Sequence, residues 1–525
     1  MYYLKKFCKF FGSRPKTTLF VLYLAAIVTA SFMLVLIERV AFIIFGIVLG
    51  LAYFILIGKR KEVQIKKAWV FLPIIIILLV GIIPYIYNSV PLGYDPGIYK
   101  YAFETYWGTL PHINLKQADW FQGMYPPGLF IFGDLLYLVG YPIQFILTHF
   151  LIIIELFLGL AVYLFVKKIE SRNTAIIAVI LFAISIVQFQ TFWWGYYKNI
   201  LGLFLILVTF YFLEKKSYLA VLTGTLLAAT HRPTFLLFGL SLLAYFIFQC
   251  IRQRKFLKQE FITGLSILFL SFPFYFETFR ESILSLVEPV LGAVVKGGGP
   301  GTFMDFDKYI YYTLIYIPFA LLGATSLIRK RKFSYLFFCF LFSFVIVFFK
   351  MFFYNRFIIH LDLMVVILAS ITFYEILQAV YKNIYGKLAV WLLVGVGVAI
   401  IFLTSARSHP LISEQELERI KGFCNLPEKE AYVMATDKHY SPWLLGYSCH
   451  RTIAPGLFEW NKWDKTKWMG FWFGSPERRA ELMHEYDEYE EPIYIYVGES
   501  QPQMGFEGAE GLEKIEDYLW RYRKQ

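Results

Sequence analysis

A chain of 525 residues that is 58% hydrophobic and only 17% charged, with a mean hydropathy of +0.57, is not composed for life in water. Its formal charge of +12 lies in short basic clusters between apolar runs, not along one polar face, so it reads as topology signals and gives no support for a nucleic-acid partner. The five cysteines form no CxxC pair and no Cys/His cluster, which excludes a zinc or thioredoxin-like site. Only Cys424 and Cys449 share a polar region, as a disulfide or as two free thiols.

A spanning helix takes roughly 20 apolar residues, and cytoplasmic loops collect Lys and Arg, so both signals can be followed together along the chain. The N-terminal MYYLKKFCKFFGSRPK precedes a run long enough to span and without a small-residue cleavage site, which predicts an uncleaved first helix. Lys5, Lys6, Lys9, Arg14 and Lys16 hold the N-terminus in the cytoplasm. Helices near Thr17 to Ile37 and Val40 to Gly58 then return the chain to Lys59, Arg60, Lys61, Lys66 and Lys67, and a third helix, Trp69 to Tyr87, exits.

Residues 88–142 follow as an external loop. Within it the apolar piece Gly128 to Gly140 is too short to span and is expected to lie in the interface. Counting that piece as a span would put Lys167, Lys168 and Arg172 outside, so the next span is placed at Ile143 to Val166. Basic clusters at Lys215/Lys216, Arg252/Arg254/Lys255/Lys258, Arg329 to Lys332 and Lys382/Lys387 fall at every second loop, and the last span, Leu388 to Thr404, exits. The expectation is an all-α polytopic membrane domain over residues 1–404 with about 13 transmembrane helices.

From residue 405 to 525 the composition turns to mixed charged and aromatic residues. Strand-like pieces at Ala431 to Thr436 and Pro492 to Val497, and helical ones at Pro442 to Tyr447 and Glu477 to Tyr486, predict a small α/β domain on the extracytoplasmic side. Trp460, Trp463, Trp468 and Trp472 are spaced to fit one amphipathic helix, or to stack on a saccharide.

Ionisable groups beside a membrane mark function, and here they gather in the external loops. Just past the third helix stand Gly93-Tyr94-Asp95-Pro96-Gly97-Ile98-Tyr99, with Glu104 and Asp119 beyond and Tyr125-Pro126-Pro127-Gly128 leading into the interfacial helix. Asp-Pro-Gly is also a common turn whose Asp only caps local backbone. His231 and Arg232 precede Pro233 at a break between two apolar helices, suited to phosphate through bidentate guanidinium bonds, or to headgroups by snorkelling. Arg356, after Tyr354 and Asn355, opens a helix containing His360 and Asp362. It is a candidate to stabilise a leaving phosphate, or an ion-pair partner for Asp362.

Trp193 to Asn199 is an aromatic cluster around Lys198 that suits either sugar stacking or the interface belt. The long external loop over residues 277–308 carries a flexible Lys296-Gly297-Gly298-Gly299-Pro300-Gly301 run, able to close over a substrate. It ends in Asp305-Phe306-Asp307, a spacing that can offer carboxylates to Mg²⁺ or Mn²⁺.

A carboxylate soon after an exiting helix, a Tyr a few residues on, and the YPP lead-in together resemble the first external loop of the GT-C glycosyltransferases. That superfamily includes the dolichyl-phosphate-mannose mannosyltransferases, the oligosaccharyltransferase catalytic subunit and the aminoarabinose transferase. The resemblance runs from Trp69 to Thr404 by order of elements, and departs in having two helices before the loop where members often have one. It implies Asp95 as general base with Glu104 beside it, and His231, Arg232 and Arg356, with Lys198 and Tyr99, as ligands of a carrier phosphate. The implied activity is inverting transfer of a sugar from a polyprenyl- or dolichyl-phosphate carrier to a lipid, glycan or protein acceptor.

No glycine loop that would cradle a nucleotide is visible. A rival of another class is a transporter or flippase of lipid-linked sugars, which would use the same cations without chemistry but usually shows internal repeats. An O-antigen-polymerase type enzyme is a second rival within glycosyl transfer.

Overall fold

The computed structural model describes residues 62–106, 126–275, 301–313, 316–351, 353–380, 384–455, 460–499 and 506–524. The two helices expected before Lys59, Asp119, Tyr125, Lys382 and the 277–300 part of the long loop lie outside them.

The described chain is mainly helical. In order it forms α1 (Phe71–Ile82), α2 (Pro96–Tyr106), α3 (Gly128–Leu138), α4 (Ile143–Leu147), α5 (His149–Ile169), α6 (Arg172–Ala183), α7 (Ile186–Trp193), α8 (Tyr197–Glu214), α9 (Leu219–Thr230), α10 (Arg232–Gln253) and α11 (Lys258–Ser271). Then follow α12 (Phe306–Thr313), α13 (Ile317–Arg329), α14 (Tyr335–Phe348), α15 (Tyr354–Val380) and α16 (Ile384–Ala406). Among the described residues, five helical stretches are long and apolar enough to cross a membrane, or up to seven if each of two bent pairs is one span. This is a multi-pass membrane protein, although the described residues do not reach thirteen spans.

Two of the expected spans lie outside the described residues, and among the described residues several apolar stretches are bent or short. Ser185 caps α7 by accepting a hydrogen bond from the Gln188 amide, so α6 and α7 meet at a 52° bend where apolar composition runs on unbroken. The span expected at Ile143 to Val166 is present but starts later, as α5 from His149, with the short α4 before it and the Thr148 hydroxyl donating to the Gln144 carbonyl at 2.6 Å. Helices α9 and α14, with 12 and 14 residues, are too short to span by themselves. α15 is the most enclosed span, with 94% of its apolar window buried against neighbours such as α6, α13 and α14.

After α16 come α17 (Glu414–Gly422), α18 (Ser441–Tyr447), α19 (Lys465–Phe473) and α20 (Pro476–Met483), with strands β1 (Tyr432–Ala435), β2 (Arg451–Ile453), β3 (Ile493–Tyr496), β4 (Leu512–Glu516) and β5 (Leu519–Tyr522). The strands form one sheet in the order β2-β1-β3-β5-β4, parallel among the first three and antiparallel beyond. β1 and β3 are buried along their whole length, as central strands covered on both faces are. Cys424 and Cys449 are joined as a disulfide.

The tryptophans do not share one helix. Asp464 caps α19 from its side chain, so Trp460 and Trp463 precede the helix while Trp468 and Trp472 lie on it, and Trp463 and Trp468 pack in the domain core.

The sheet domain is docked on the first external loop. α2 and α18 cross so closely that a Cβ at Gly97 would strike the Pro442 carbonyl and one at Gly446 the Gly97 carbonyl. Lys100 donates to the Gly446 carbonyl at 2.7 Å, and Tyr94 to that of Lys438 at 2.7 Å.

Candidate functional site

The chain leaves α1 and turns at Gly93, whose φ of +95° suits glycine and whose missing Cβ lets the backbone pass against the Trp194 carbonyl. That close approach brings the start of the first loop onto the turn before α8. Asp95 stands at the head of α2, its carbonyl accepting from the Tyr99 amide at 3.0 Å, and Pro96 supplies the fixed φ that a first helical residue tolerates. Tyr99, one turn on, packs edge to face on Tyr197 at 4.7 Å, and the Lys198 ammonium sits 5.8 Å from the Tyr99 ring centre.

Arg356 of α15 and Lys198 of α8 act electrostatically on Asp95, and Arg232 of α10 acts on Lys198, each cation coming from the N-terminal turn of a different helix. Helix N-termini carry partial positive charge, so charge and dipole act in the same sense and favour an anion. The Arg356 guanidinium donates to Thr302 Oγ1 at 2.7 Å and lies 5.9 Å over the Tyr196 ring, whose hydroxyl in turn donates to the Thr302 carbonyl. Arg232 lies 5.4 Å over the Tyr275 ring and is hydrogen-bonded to its hydroxyl. Arg356 Nε is buried with no hydrogen-bond partner among the described residues, which leaves donor capacity at the site.

Asp95 keeps some residue exposure, but protein hems in its carboxyl. Burial pushes that carboxyl above the ordinary carboxylate range, while Arg356 and Lys198 pull the other way. A carboxylate raised in this manner is a stronger base and is held by cations in the ionised form that a base needs.

His231 is near this group but does not face it openly. Its Nδ1 bonds Thr234 Oγ1 at 2.6 Å, and that hydroxyl bonds His360 Nε2 at 2.7 Å, with the two imidazoles parallel and 6.3 Å apart. The ring is buried and within electrostatic reach of Lys198 and Arg356.

Glu104 is not brought to the cluster. Nine residues from Asp95 is half a revolution of a helix, and Glu104 pairs with Lys100 at 2.7 Å on the far side of α2. Arg356 and Asp362 do not pair either: Asp362 takes hydrogen bonds from Ser185 (2.9 Å), Gln188 (2.9 Å) and Tyr316 (2.5 Å). Asp305 accepts from Asn355 Nδ2 at 3.4 Å, Asp307 lies in the first turn of α12, and no three His, Cys, Asp or Glu side chains converge among the described residues.

Thr302, Tyr196, Thr234, His360 and Tyr275 carry no role in the sequence reading. His360 had a usable signal, since it lies four residues after Arg356 and so on the same helical face. Tyr196 and Thr234 adjoin Lys198 and Arg232 in sequence, while Thr302 and Tyr275 are joined to the site by tertiary contact.

No protein-family profile matches the sequence, and no curated protein matches it. Solved structures do. The archaeal oligosaccharyltransferase AglB from Archaeoglobus fulgidus, in complex with an inhibitory peptide and a dolichol-phosphate, superposes with a TM-score of 0.58 at 12% identity, over 82% of this chain and 69% of that one. The same enzyme tethered to an acceptor peptide gives 0.57 at 13% identity, over 82% and 69%. ArnT from Cupriavidus metallidurans bound to undecaprenyl phosphate gives 0.53 at 11% identity, over 87% and 98%. Both are GT-C superfamily membrane glycosyltransferases, and the fold of this chain is theirs.

Proposed function

We propose that the protein is a GT-C glycosyltransferase that moves a sugar from a polyprenyl- or dolichyl-phosphate carrier to an acceptor on the extracytoplasmic face. One observation carries the reading: the carboxylate of Asp95 meets Arg356 and Lys198, with Arg232 within electrostatic reach of Lys198, at three helix N-termini beside apolar helices. A lipid phosphate needs cations at the edge of an apolar slab, and an acceptor hydroxyl needs a base beside them.

In the reaction Asp95 takes the acceptor proton as the acceptor oxygen bonds the anomeric carbon. The bond from that carbon to the phosphate oxygen breaks, and the departing lipid phosphate carries its charge to Arg356, Lys198 and Arg232. One displacement inverts the carbon. His231, Thr234 and His360 hold the cationic wall in place, and no step is routed through a metal. The lipid phosphates bound to AglB and ArnT support a lipid-carried donor, and the acceptor peptide on AglB a macromolecular acceptor among the lipid, glycan and protein classes. The Cys424–Cys449 disulfide and the basic loops support an extracytoplasmic sheet domain and a cytoplasmic N-terminus.

The test is release of lipid phosphate from polyprenyl-phosphate sugars by detergent-purified wild type and Asp95→Asn, with membrane extract supplying the acceptor. Lost turnover with donor binding intact is the expected result. Equal turnover in the variant would remove Asp95 from the reaction, and donor binding without turnover in both proteins would favour the flippase.

A further inference from the structure

α2 has a second working face. Opposite Asp95 and Tyr99, the helix and the sheet domain enclose a cleft of about 520 Å³ between Lys100 and Glu104 on one wall and Glu430, Arg451, Thr452 and Trp460 on the other. Lys100 pairs with Glu104, and Arg451 with Glu430 at 3.1 Å and Glu491 at 2.8 Å, while Lys429 also lines the cleft. The cleft therefore presents donors and acceptors side by side, its cations largely matched by carboxylates.

Arg451 also fixes the aromatic wall, lying 5.1 Å over the Trp460 ring and 5.5 Å over that of Tyr432. Thr452 is 1% exposed, and its hydroxyl has no partner among the described residues although the residue lines the cleft. β2, the edge strand beside it, is three residues long and offers little for an extended peptide to pair with.

We infer that this cleft binds an oligosaccharide, and, resting on the transferase reading, that the oligosaccharide is the part of the acceptor remote from its reacting hydroxyl. A sugar ring has an apolar face for Trp460 and hydroxyls that each donate and accept, the pattern that Lys100/Glu104 and Arg451/Glu430 offer. Position agrees as well. Lys100 and Glu104 follow Asp95 by about 8 and 14 Å along the helix axis, so one extended ligand can reach from the cleft to the base. The side chains that hold the cleft are not those proposed to hold the lipid phosphate, so the two substrates would have separate walls.

The experiment is saturation-transfer NMR of full-length protein in detergent with a panel of short neutral oligosaccharides and, in parallel, short peptides. Expected are binding of a saccharide by wild type, about tenfold weaker affinity in Trp460→Ala, and unchanged affinity in Asp95→Asn. Because the readout needs no turnover, failure of the transferase reading leaves it standing, and its own failure leaves Asp95 untouched. Absence of saccharide binding by wild type, equal affinity in Trp460→Ala, or binding of peptides alone would overturn the inference. Should Trp460→Ala fail to fold, Glu104→Gln on the opposite wall carries the same test.

Discussion

Asp362 and Asp95 are both carboxylates set among apolar helices, yet their surroundings differ in kind. Asp362 lies inside the bundle on α15 and is answered from three sides by Ser185, Gln188 and Tyr316, neutral groups that complete its hydrogen bonding. Asp95 lies at the rim where helices begin, and it is answered by the cations Arg356 and Lys198, with Arg356 Nε having no hydrogen-bond partner among the described residues. A satisfied buried network specifies packing, whereas an electrostatically loaded and partly open one is prepared for a ligand. The difference teaches which acidic residue to read as fold and which as chemistry, although both stand a few residues from an arginine or lysine in sequence.

Substitutions can break or sharpen that contrast. The largest effect is expected for Asp95→Asn: a loss of about a thousandfold in turnover, with thermal stability in detergent unchanged, measured as lipid-phosphate release. Arg356→Ala should follow, lowering turnover about a hundredfold and weakening donor binding. Asp362→Ala should do the reverse, costing about 3 kcal/mol of stability in a denaturant titration while the folded fraction keeps its turnover. If Asp362→Ala removed turnover without loss of stability, the division between the two carboxylates would collapse.

The pH profile offers a finer contrast. Burial raises Asp95, and a base works only when deprotonated, so activity should be present above the raised value and fall away as pH drops through it, above the ordinary range near about 4. Lys198 opposes the rise, so Lys198→Met should move this acidic limb of kcat/KM to higher pH as well as lowering it. The smallest effect is expected for Thr234→Val, which cuts the bridge between His231 and His360 and should cost a few-fold in turnover without altering the pH limb.

Much of the architecture was legible because lipid imposes a strong constraint. Apolar runs, basic loops and the short piece at Gly128 located most helices, and the helix there runs Gly128–Leu138. Strands expected at Ala431 to Thr436 and Pro492 to Val497 enclose the observed β1 and β3, since buried central strands read as continuous apolar runs. Helix breaks were not legible: the helices are interrupted at Thr148 and Ser185, where hydropathy registers nothing. At the site, Arg356 and Lys198 lie within electrostatic reach of Asp95, and Arg232 within reach of Lys198. Glu104 lies apart for a reason that periodicity alone supplies; Tyr196 and Thr234 stand beside Lys198 and Arg232 in sequence, whereas Thr302 joins Arg356 from a distant segment that no local pattern connects.

The Gly97–Gly446 crossing has a consequence for how the protein is made. Lys100 and Gly446 touch across 346 residues of chain, so the loop carrying Asp95 emerges from the ribosome long before the domain that clamps it. Contacts of such sequence separation form late, after the intervening helices have been inserted. Until that final docking the first loop lacks its cover, and the protein should acquire its activity as the last event of its biogenesis, not gradually as helices enter the membrane.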